Sequence, residues 1–325
     1  MSATSRRELL CRLAFTSAAL TGAAAARAEP PADPPRVEVT SRENEVLLRA
    51  GGEAVATYCF RDPAIPRPYF AHVKAPGGIQ VTRAHPPVPG QDPTDHAGYH
   101  PGLFMAFGDL SGADSWRLKA LVRHDGFAAP PRSGSGRGSF AVKNVYLSEN
   151  GAGVLARERC QVTLLTRPAG TLLLWDSRFT PGEVPLVFGD QEEMGLGVRV
   201  ATPLTVTRGG EIRDSEGRKN EAQVRGQAPD WCDYSGVVDG RRAGVTLMSH
   251  PRNFRRSWMH ARDYGILVAN PFGRRALTGG EESRVVVQPD AALSLRYGIL
   301  LHSSPEDKPV DLRAAYQDYL RQAGE

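Results

Sequence analysis

Short stretches of alternating apolar and polar residues recur along the chain, separated by turns rich in glycine and proline. Residues 160–165 and 171–175 flank the turn 167–170 and predict a β-hairpin. A second hairpin is predicted around Gly51-Gly52, within residues 45–60. Because such turn signals return roughly every 8–15 residues, the pattern favours an all-β sandwich over alternating strand–helix units.

The remaining pattern extends this prediction to the C-terminus. Two segments, 85–102 and 129–139, are rich in Pro, Gly and Ser and predict long loops. A helical pattern occurs only at the end, where Asp311 is suited to the N-cap and apolar residues recur with helical spacing over 312–320. We therefore predict a large antiparallel β-sandwich with one C-terminal helix. Further strands are predicted at 184–188, 196–207, 243–249, 264–269, 283–288 and 292–301.

The first 28 residues are typical of a bacterial export signal. A twin arginine, Arg6-Arg7, precedes a short run of small apolar residues that ends at Ala26-Arg27-Ala28, a small-x-small cleavage pattern. The run is too short to span a bilayer. We therefore predict a signal peptide at residues 1–28, one β-sandwich domain at 29–325, and a periplasmic or secreted location.

Charge and cysteine content narrow the class of protein. Removing residues 1–28 takes away four arginines and one glutamate, so the formal net charge of +4 falls by three to +1. No run of Lys or Arg is interleaved with aromatic residues, so we expect no nucleic-acid partner. The other three cysteines, Cys59, Cys160 and Cys232, contain no CxxC pair and allow one disulfide at most.

The densest candidate chemistry lies in the loop around Asp95, His96 and His100. Imidazole exchanges protons near neutral pH and is the commonest metal ligand. The loop is therefore open to two interpretations. The histidines could transfer protons with Asp95 orienting one of them, or they could bind a divalent metal.

Three further segments carry polar or aromatic residues suited to a sugar. An acidic cluster places Glu192 and Glu193 directly before an apolar strand, where either could act as a general base or hold a hydroxyl. Trp231, Asp233 and Tyr234 combine flat apolar faces with an acceptor, the combination that binds a sugar ring.

The third of these segments, 250–265, is rich in histidine and arginine. Arginine offers a rigid fork of donors for carboxylates or paired hydroxyls. His250, Trp258, His260 and Arg262 belong to this segment, and Asn270 follows at the end of the next predicted strand. We expect these residues to shape one rim of a cleft.

Several familiar catalytic motifs are missing from the sequence. It contains no GxSxG, no P-loop, no GxGxxG between a strand and a helix, and no HExxH. Serine hydrolases of the nucleophile-elbow type, nucleotide-dependent enzymes and zincins are therefore disfavoured.

Taken together, these motifs resemble a bacterial family of unknown function that is often labelled methane oxygenase PmoA. The resemblance implies a β-sandwich similar to the galactose-mutarotase superfold, whose members act on carbohydrates. The oxygenase label conflicts with the chain, because membrane methane oxygenases need transmembrane helices and this sequence predicts none. Family members often have more histidines in the first loop. This sequence departs from that pattern, because the segment 95–103 offers only His96 and His100 and so cannot supply three imidazoles. The matching pieces are 67–70, 81–83, 95–103, 108–116, 192–199, 231–236, 250–251, 262–265 and 270–273.

The sequence thus predicts a carbohydrate-active enzyme that uses acid–base chemistry for epimerisation, elimination or hydrolysis. His96 and His100 would be the proton-transfer pair, with Asp95 orienting one of them. The opposing carboxylate would be Glu193 or Asp233. His260 is assigned to the catalytic group with them, and the predicted substrate contacts are Arg67, Trp231, Tyr234, His250, Trp258, Arg262 and Asn270.

Two alternatives remain open at this point. One is a metal-dependent hydrolase or lyase, with a divalent ion held by His96, His100 and an acidic residue. The other is a carbohydrate-binding protein without catalysis, contacting sugar through Trp231, Trp258 and Arg262. The sequence predicts no membrane span and leaves the oligomeric state open.

Overall fold

A computed structural model describes residues 33–324 of the chain, and residues 34–324 form one compact unit. The predicted signal peptide at 1–28 and the domain boundary at residue 29 lie outside the described residues. Within the described part, no helix is long and apolar enough to cross a membrane.

Twenty-one strands and three α-helices make up the described chain, together with short 3-10 helices at Thr202–Leu204 and Val206–Arg208. The helices are α1 (Asn220–Val224), α2 (Arg274–Thr278) and α3 (Leu312–Ala323). The strands are β1 (Arg36–Ser41), β2 (Glu45–Ala50), β3 (Glu53–Cys59), β4 (Tyr69–Ala71), β5 (Lys74–Ala75), β6 (Ile79–Gln80), β7 (Leu103–Phe107), β8 (Val122–Arg132), β9 (Gly134–Ser135), β10 (Arg137–Leu147), β11 (Val154–Arg167), β12 (Gly170–Pro181), β13 (Leu186–Phe188), β14 (Met194–Arg199), β15 (Glu211–Asp214), β16 (Trp231–Val238), β17 (Arg241–Ser249), β18 (Trp258–Arg262), β19 (Ile266–Asn270), β20 (Val285–Val287) and β21 (Leu293–Pro305).

Two large antiparallel sheets form a sandwich, which confirms the predicted fold class. The nine-stranded sheet has the order β18-β19-β14-β7-β4-β3-β2-β1-β9, and the eight-stranded sheet has the order β15-β16-β17-β21-β12-β11-β10-β8. The predicted hairpin at 160–175 is the β11–β12 pair, in continuous register from Ala156↔Pro181 to Arg167↔Gly170. Two small two-stranded sheets, β13–β20 and β5–β6, complete the fold.

The core between the sheets follows from the alternation of side chains along each strand. On β14, Met194, Leu196 and Val198 point into it, and Cys232 and Tyr234 of β16 enter from the other sheet. The residues between them therefore point outward. A second apolar cluster lies on the outer face of the nine-stranded sheet and comprises Ile65, Tyr69, Ala71, Phe104, Ala106, Trp116, Ile266 and Val268.

The outer face of the eight-stranded sheet is covered at one end by α3. Asp311 caps this helix as predicted, accepting a hydrogen bond from the backbone of Ala314 at 3.0 Å. Tyr316 and Tyr319 of the helix pack with Trp231 and Met248 of the sheet. The C-terminal helix is thus a lid on one sheet face.

Two sequence predictions need correction. The segment 129–139 was predicted to be a loop but lies mostly in β8, β9 and β10, because Gly134 and Ser135 pair with β1 and the flanking residues pair β8 with β10 through register shifts. The predicted strand 196–207 ends at Arg199, because Pro203 cannot donate a backbone hydrogen bond and a 3-10 turn begins beside it. The loop 85–102 contains no strand, as predicted.

Candidate functional site

The histidine loop (residues 92–102) and the segment 258–264 meet on the outer face of the nine-stranded sheet. Arg199 of β14 lies opposite Ile266, which lies opposite Arg262. Residues that lie opposite each other share a face of the sheet. Because neighbouring strands are about 4.8 Å apart, the Cα atoms of the two arginines are separated by about 10 Å. Arg199 also binds Asp95 of the histidine loop at 3.0 Å. Segments more than 150 residues apart in sequence therefore form one site.

A buried arginine shapes the histidine loop. The Arg83 guanidinium donates through Nη1 to the carbonyls of Pro93 at 3.0 Å and Asp95 at 2.8 Å. Through Nη2 it donates to the carbonyls of His96 at 3.4 Å and His100 at 3.2 Å. One side chain thereby satisfies four backbone acceptors, and this fixes a loop that has no strand pairing of its own.

Asp95 and His96 form an accessible acid–base pair on this loop. His96 Nδ1 lies 3.1 Å from Asp95 Oδ2, and the two side chains are 50% and 41% exposed. Partial burial alone would raise the pKa of Asp95, but Arg199, the contact with His96, and Arg83 outweigh it and lower that pKa. His96 also has a φ of +49°, an unusual backbone conformation for a residue other than glycine. The pair is therefore held by its surroundings, and Asp95 is ionised.

His100, in contrast, lies buried beneath His96. Its ring stacks on Phe104 at 5.9 Å and meets the edge of Trp116 at 5.6 Å. Burial, followed by the charge of Arg199, lowers the pKa of His100 to about 2, and neither ring nitrogen has a hydrogen-bond partner. His100 is thus a neutral imidazole that cannot exchange protons with a substrate, and its predicted role in a proton-transfer pair needs correction.

Arg67 also lies beneath the loop and not at its surface. Its Nη2 donates to the carbonyl of Tyr99, and its guanidinium sits 4.3 Å from the centre of the Phe104 ring. Burial lowers the pKa of Arg67 to about 9, so the group remains a cation at neutral pH. Arg67 therefore supports the loop from below, which corrects its predicted role as a substrate contact.

The acidic cluster brings its first carboxylate to the same face. Glu192 accepts from Arg225 at 2.6 Å and from Arg262 at 3.3 Å, and His260 Nδ1 lies 3.4 Å away. Contact with His260 is the largest influence on the pKa of Glu192; burial opposes it, the two arginines add to it, and the pKa falls to about 2. Arg262 also pairs with Glu221 at 2.7 Å. Glu192 is therefore a fixed anion.

Glu193 and Tyr264 lie close to these groups. Glu193 forms an ion pair with Arg117, which also binds Asp114 at 3.1 Å. Tyr264 is 40% exposed, and the Arg199 guanidinium lies 4.7 Å from the centre of its ring. Burial raises the pKa of Tyr264, while the charges of Arg199 and Arg262 lower it. The phenol thus lies between the histidine loop and the acidic cluster.

Asp233 belongs to the other sheet and is not part of this site. It is buried on the outer face of the eight-stranded sheet, where it binds His302 Nε2 at 2.8 Å and Thr246 Oγ1 at 2.7 Å. Trp231 is on the same face and packs under α3. Both predicted site roles are therefore wrong on geometric grounds, because the body of the sandwich separates these residues from His96.

Tyr234 and His250 were predicted to contact substrate, but both are buried away from the histidine loop. Tyr234 is fully buried in the central core, and its hydroxyl donates to the carbonyl of Asp263 at 2.7 Å. His250 is buried at the end of β17, with its ring 5.9 Å from that of Tyr319 in α3. Neither side chain reaches the histidine loop.

Asn270 has a positioning role instead of a substrate contact. Its amide nitrogen donates to the carbonyls of Gln191 at 2.7 Å and Glu192 at 3.1 Å. Its oxygen accepts from the backbone of Phe272 and Gly273 at 2.8 and 2.9 Å. The side chain therefore anchors the acidic cluster. Trp258, two residues before His260 on β18, shares its outward face and is half-buried.

Sequence reasoning predicted Arg67 and Arg262 but missed Arg83, Arg117, Arg199 and Arg225, together with Glu221 and Tyr264. Arg199 could have been found, because it is a charged residue at an outward position of an otherwise apolar strand. Arg117 and Arg225 gave no such signal, since Glu193 and Glu192, which they bind, are far away in sequence, and the hydrogen bonds of Arg83 to loop carbonyls leave no mark in the sequence pattern.

A metal ion does not fit the predicted ligands. Within residues 33–324, no three His, Cys, Asp or Glu side chains come together in a way that could hold a metal ion. Three guanidinium groups, those of Arg67, Arg83 and Arg199, lie close enough to lower the pKa of His100, and they would repel a cation. The chemistry of this face must therefore be argued from its own side chains.

Comparison with known proteins places the chain in a family. Residues 45–316 match the sequence model of DUF6807, a family of unknown function. The chain belongs to this family. No curated protein matches the chain. The DUF6807 description assigns no activity, so none can be carried over.

Solved structures are similar only at a distance. A "Putative kojibiose phosphorylase from human microbiome" is 5% identical with a TM-score of 0.37; the match covers 88% of this chain and 32% of that one, so this chain spans about a third of that protein. The Slr1438 protein from Synechocystis sp. PCC 6803 is 11% identical, with coverage of 85% and 98% and a TM-score of 0.32. A "Putative aldose 1-epimerase" from Escherichia coli K12 is 13% identical, with coverage of 82% and 98% and a TM-score of 0.32. These scores carry no argument about function.

Proposed function

We propose that this protein is an exported carbohydrate-active enzyme in which His96 transfers a proton at a sugar ring. The observation that supports this most strongly is the Asp95–His96 contact on a half-exposed loop. Because Nδ1 of His96 faces Asp95, Nε2 is the nitrogen left for a substrate. Asp95 fixes the ring orientation and stabilises the imidazolium that forms when His96 takes a proton.

The carboxylates of this face favour epimerisation or elimination over hydrolysis. Glycoside hydrolysis uses a carboxylic acid whose pKa is raised so that it can protonate the leaving group. Here the pKa values of Asp95, Glu192 and Glu221 are all lowered, and Glu193 is ion-paired. His96 is therefore the group best suited to proton transfer. Acting as a base, it would remove a C–H or O–H proton, which is the step that epimerisation and elimination need.

The charge balance favours a sugar that carries an acid group. Arg67, Arg83 and Arg199 have Asp95 as their one carboxylate partner among the described residues. All three side chains are buried, so their positive field, and not direct contact, would attract a substrate carboxylate to the surface above them and stabilise the charge that develops on it. His96 would remove the proton next to that carboxylate. Delivery of a proton from water to the opposite face, with His96 passing its own proton to solvent, gives epimerisation. Departure of the glycosidic oxygen on the neighbouring carbon with its bonding electrons, and its protonation by His96 or water, gives elimination and a C=C bond.

Partly exposed aromatic side chains complete the proposed sugar site. Tyr99 lies 5.8 Å from the His96 ring, and Tyr264 lies beside Arg199. Their faces can stack on the C–H groups of a sugar. The binding-only alternative is weaker, because Trp231, one of its proposed platforms, packs under α3. Export by the N-terminal signal and the finer resemblance to the PmoA-labelled family remain predictions.

A substrate panel tests this proposal. Reducing sugars would be followed by polarimetry for epimerisation, uronate polymers by the ultraviolet absorbance of unsaturated products, and neutral glycosides by release of reducing ends. We expect turnover of a uronate substrate, reduced about 100-fold or more in His96→Asn.

His72→Asn is the matched control, because His72 is also exposed and has a similar φ of +54°. It should keep wild-type turnover. Undiminished turnover in His96→Asn would contradict the assignment, and so would release of reducing ends from neutral glycosides alone.

A further inference from the structure

Three cations lie side by side on the outer face of the eight-stranded sheet. Lys143 of β10 is directly opposite Arg159 of β11, which is directly opposite Arg178 of β12. All three side chains are exposed. Like charges in directly opposite positions of neighbouring strands destabilise a sheet. The row therefore costs the folded protein stability.

The cationic row forms one side of a surface depression of about 320 Å³. Arg157, in the next outward position of β11, adds a fourth cation, and buried Val145 lies opposite it in the sheet. Among the described residues, Lys143, Arg157 and Arg178 form no ion pair, and Arg159 donates only to Gln161 at 3.3 Å. The depression is lined by these four cations together with Asp125 and Thr180, among other residues.

The cations of this depression are more exposed, and take part in fewer ion pairs, than most arginines of the His96 face. There, Arg83, Arg117, Arg199, Arg225 and Arg262 each bind a carboxylate at close range. Here, four exposed cations line a depression that holds two carboxylates, Asp125 and the buried Glu158. The uncompensated positive charge calls for an anion from outside the chain.

We propose that this depression, the cationic groove, binds an acidic polysaccharide. The three cations of the row extend from neighbouring strands about 4.8 Å apart, so their backbone positions lie along a line, which suits a linear chain with repeated negative groups. Thr180 adds a neutral hydroxyl that can hydrogen-bond to sugar hydroxyls. No lining residue is aromatic, so the groove lacks the stacking platforms typical of single-stranded nucleic-acid sites.

The cationic groove and the His96 site lie on opposite outer faces of the sandwich. The groove is on the outer side of the eight-stranded sheet, and the His96 site is on the outer side of the nine-stranded sheet. The inference rests on the groove's own charges and does not depend on the proposed activity. An acidic polysaccharide bound at the groove would keep the protein attached to the polymer between binding events at the His96 site.

Binding to oligogalacturonate, a uronate oligosaccharide, tests the inference, with uncharged dextran oligosaccharide as the neutral probe. Calorimetry at low salt would compare the full chain with Lys143→Gln/Arg159→Gln/Arg178→Gln. We expect oligogalacturonate but not dextran to bind, and we expect the variant to bind about tenfold more weakly because three ion pairs are lost. Binding that remains in the triple variant would be assigned to the His96 face. Loss of groove binding can therefore be distinguished from loss of binding at the His96 face.

Arg36→Gln/Arg208→Gln/Arg313→Gln is the matched control, because it removes three exposed cations from elsewhere. It should bind like the wild type. Equal weakening in both triple variants would overturn the inference, as would no binding by the wild type, or equally tight binding of a single-stranded oligonucleotide.

The melting temperature without ligand is a second readout. Because the row repels itself, the single variant Arg159→Gln should melt at or above the wild-type temperature. A clearly lower melting temperature would show that Arg159 has a structural role and would overturn the inference.

Discussion

Two aspartate–histidine pairs, one on each outer face of the sandwich, use the same side chains for different ends. Asp95 and His96 lie 3.1 Å apart and are about half exposed. Asp233 and His302 lie 2.8 Å apart, with side chains only 5% and 3% exposed. The first pair can meet a substrate, whereas the second can only hold the protein together. Burial, and not residue type, separates a candidate catalytic pair from a structural one.

The surroundings of the two pairs explain this difference. Asp95 is held by Arg199 and Arg83, which leave the ring of His96 free at the surface. Burial would raise the pKa of Asp233, but the charge and hydrogen bond of His302 outweigh it and lower that pKa. Asp233 therefore depends on His302, and breaking this buried pair should be costly.

The largest expected effect is on the buried pair. Asp233→Ala leaves His302 buried without its partner, so we expect the free energy of unfolding to fall by about 3–5 kcal/mol. Urea denaturation followed by circular dichroism measures this loss. Asp307→Ala, at an exposed turn, is the control and should change stability by less than about 0.5 kcal/mol. A loss as small as the control's would contradict the structural role of Asp233.

The next effect concerns the frame of the exposed pair. Arg83→Met keeps the buried bulk but leaves four loop carbonyls without a charged donor, so we expect a loss of about 3 kcal/mol. The increase in backbone hydrogen-exchange rate from wild type to variant should be larger in residues 93–100 than in the rest of the protein. Arg208→Met is the exposed control. Unchanged protection of the loop would show that Arg83 does not hold the pair in place.

A smaller effect comes from Glu192, which is intermediate in exposure. Its pKa is lowered to about 2 from an ordinary 4.5. Its ionised form therefore stabilises the protein above about pH 4.5, and that stability is lost as pH falls towards 2. Because the side chain is 35% exposed, we expect only about 1 kcal/mol.

Glu192→Gln should remove this contribution, which urea denaturation between pH 2 and neutral pH would measure. The stability difference between wild type and variant should shrink as the solution becomes more acidic. A difference that does not vary with pH would contradict the ionised role of Glu192.

The sequence predicted the elements well because strand signals are local. Alternation and turn residues identified the β11–β12 hairpin, and Asp311 marked the start of α3. Parity along a strand also shows that Trp231 and Tyr234, three residues apart, face opposite sides. The prediction that both would contact one sugar overlooked that rule.

The site was harder to predict because its geometry depends on distant contacts. The sequence identified the loop of Asp95 and His96 but could not show that Arg83 and Arg199 hold it. It also could not assign Asp233 to the far face, since that depends on which sheet β16 joins. Burial separates His100 from His96, although the two are only four residues apart.

The most direct test of the account compares the histidines of the two pairs in one experiment. Turnover of the best uronate substrate and melting temperature would be measured for His96→Asn and His302→Asn. We predict that His96→Asn loses turnover at a wild-type melting temperature, whereas His302→Asn melts lower but turns over normally while folded. Full turnover in His96→Asn, or loss of turnover in folded His302→Asn, would contradict the assignment of chemistry to the exposed pair.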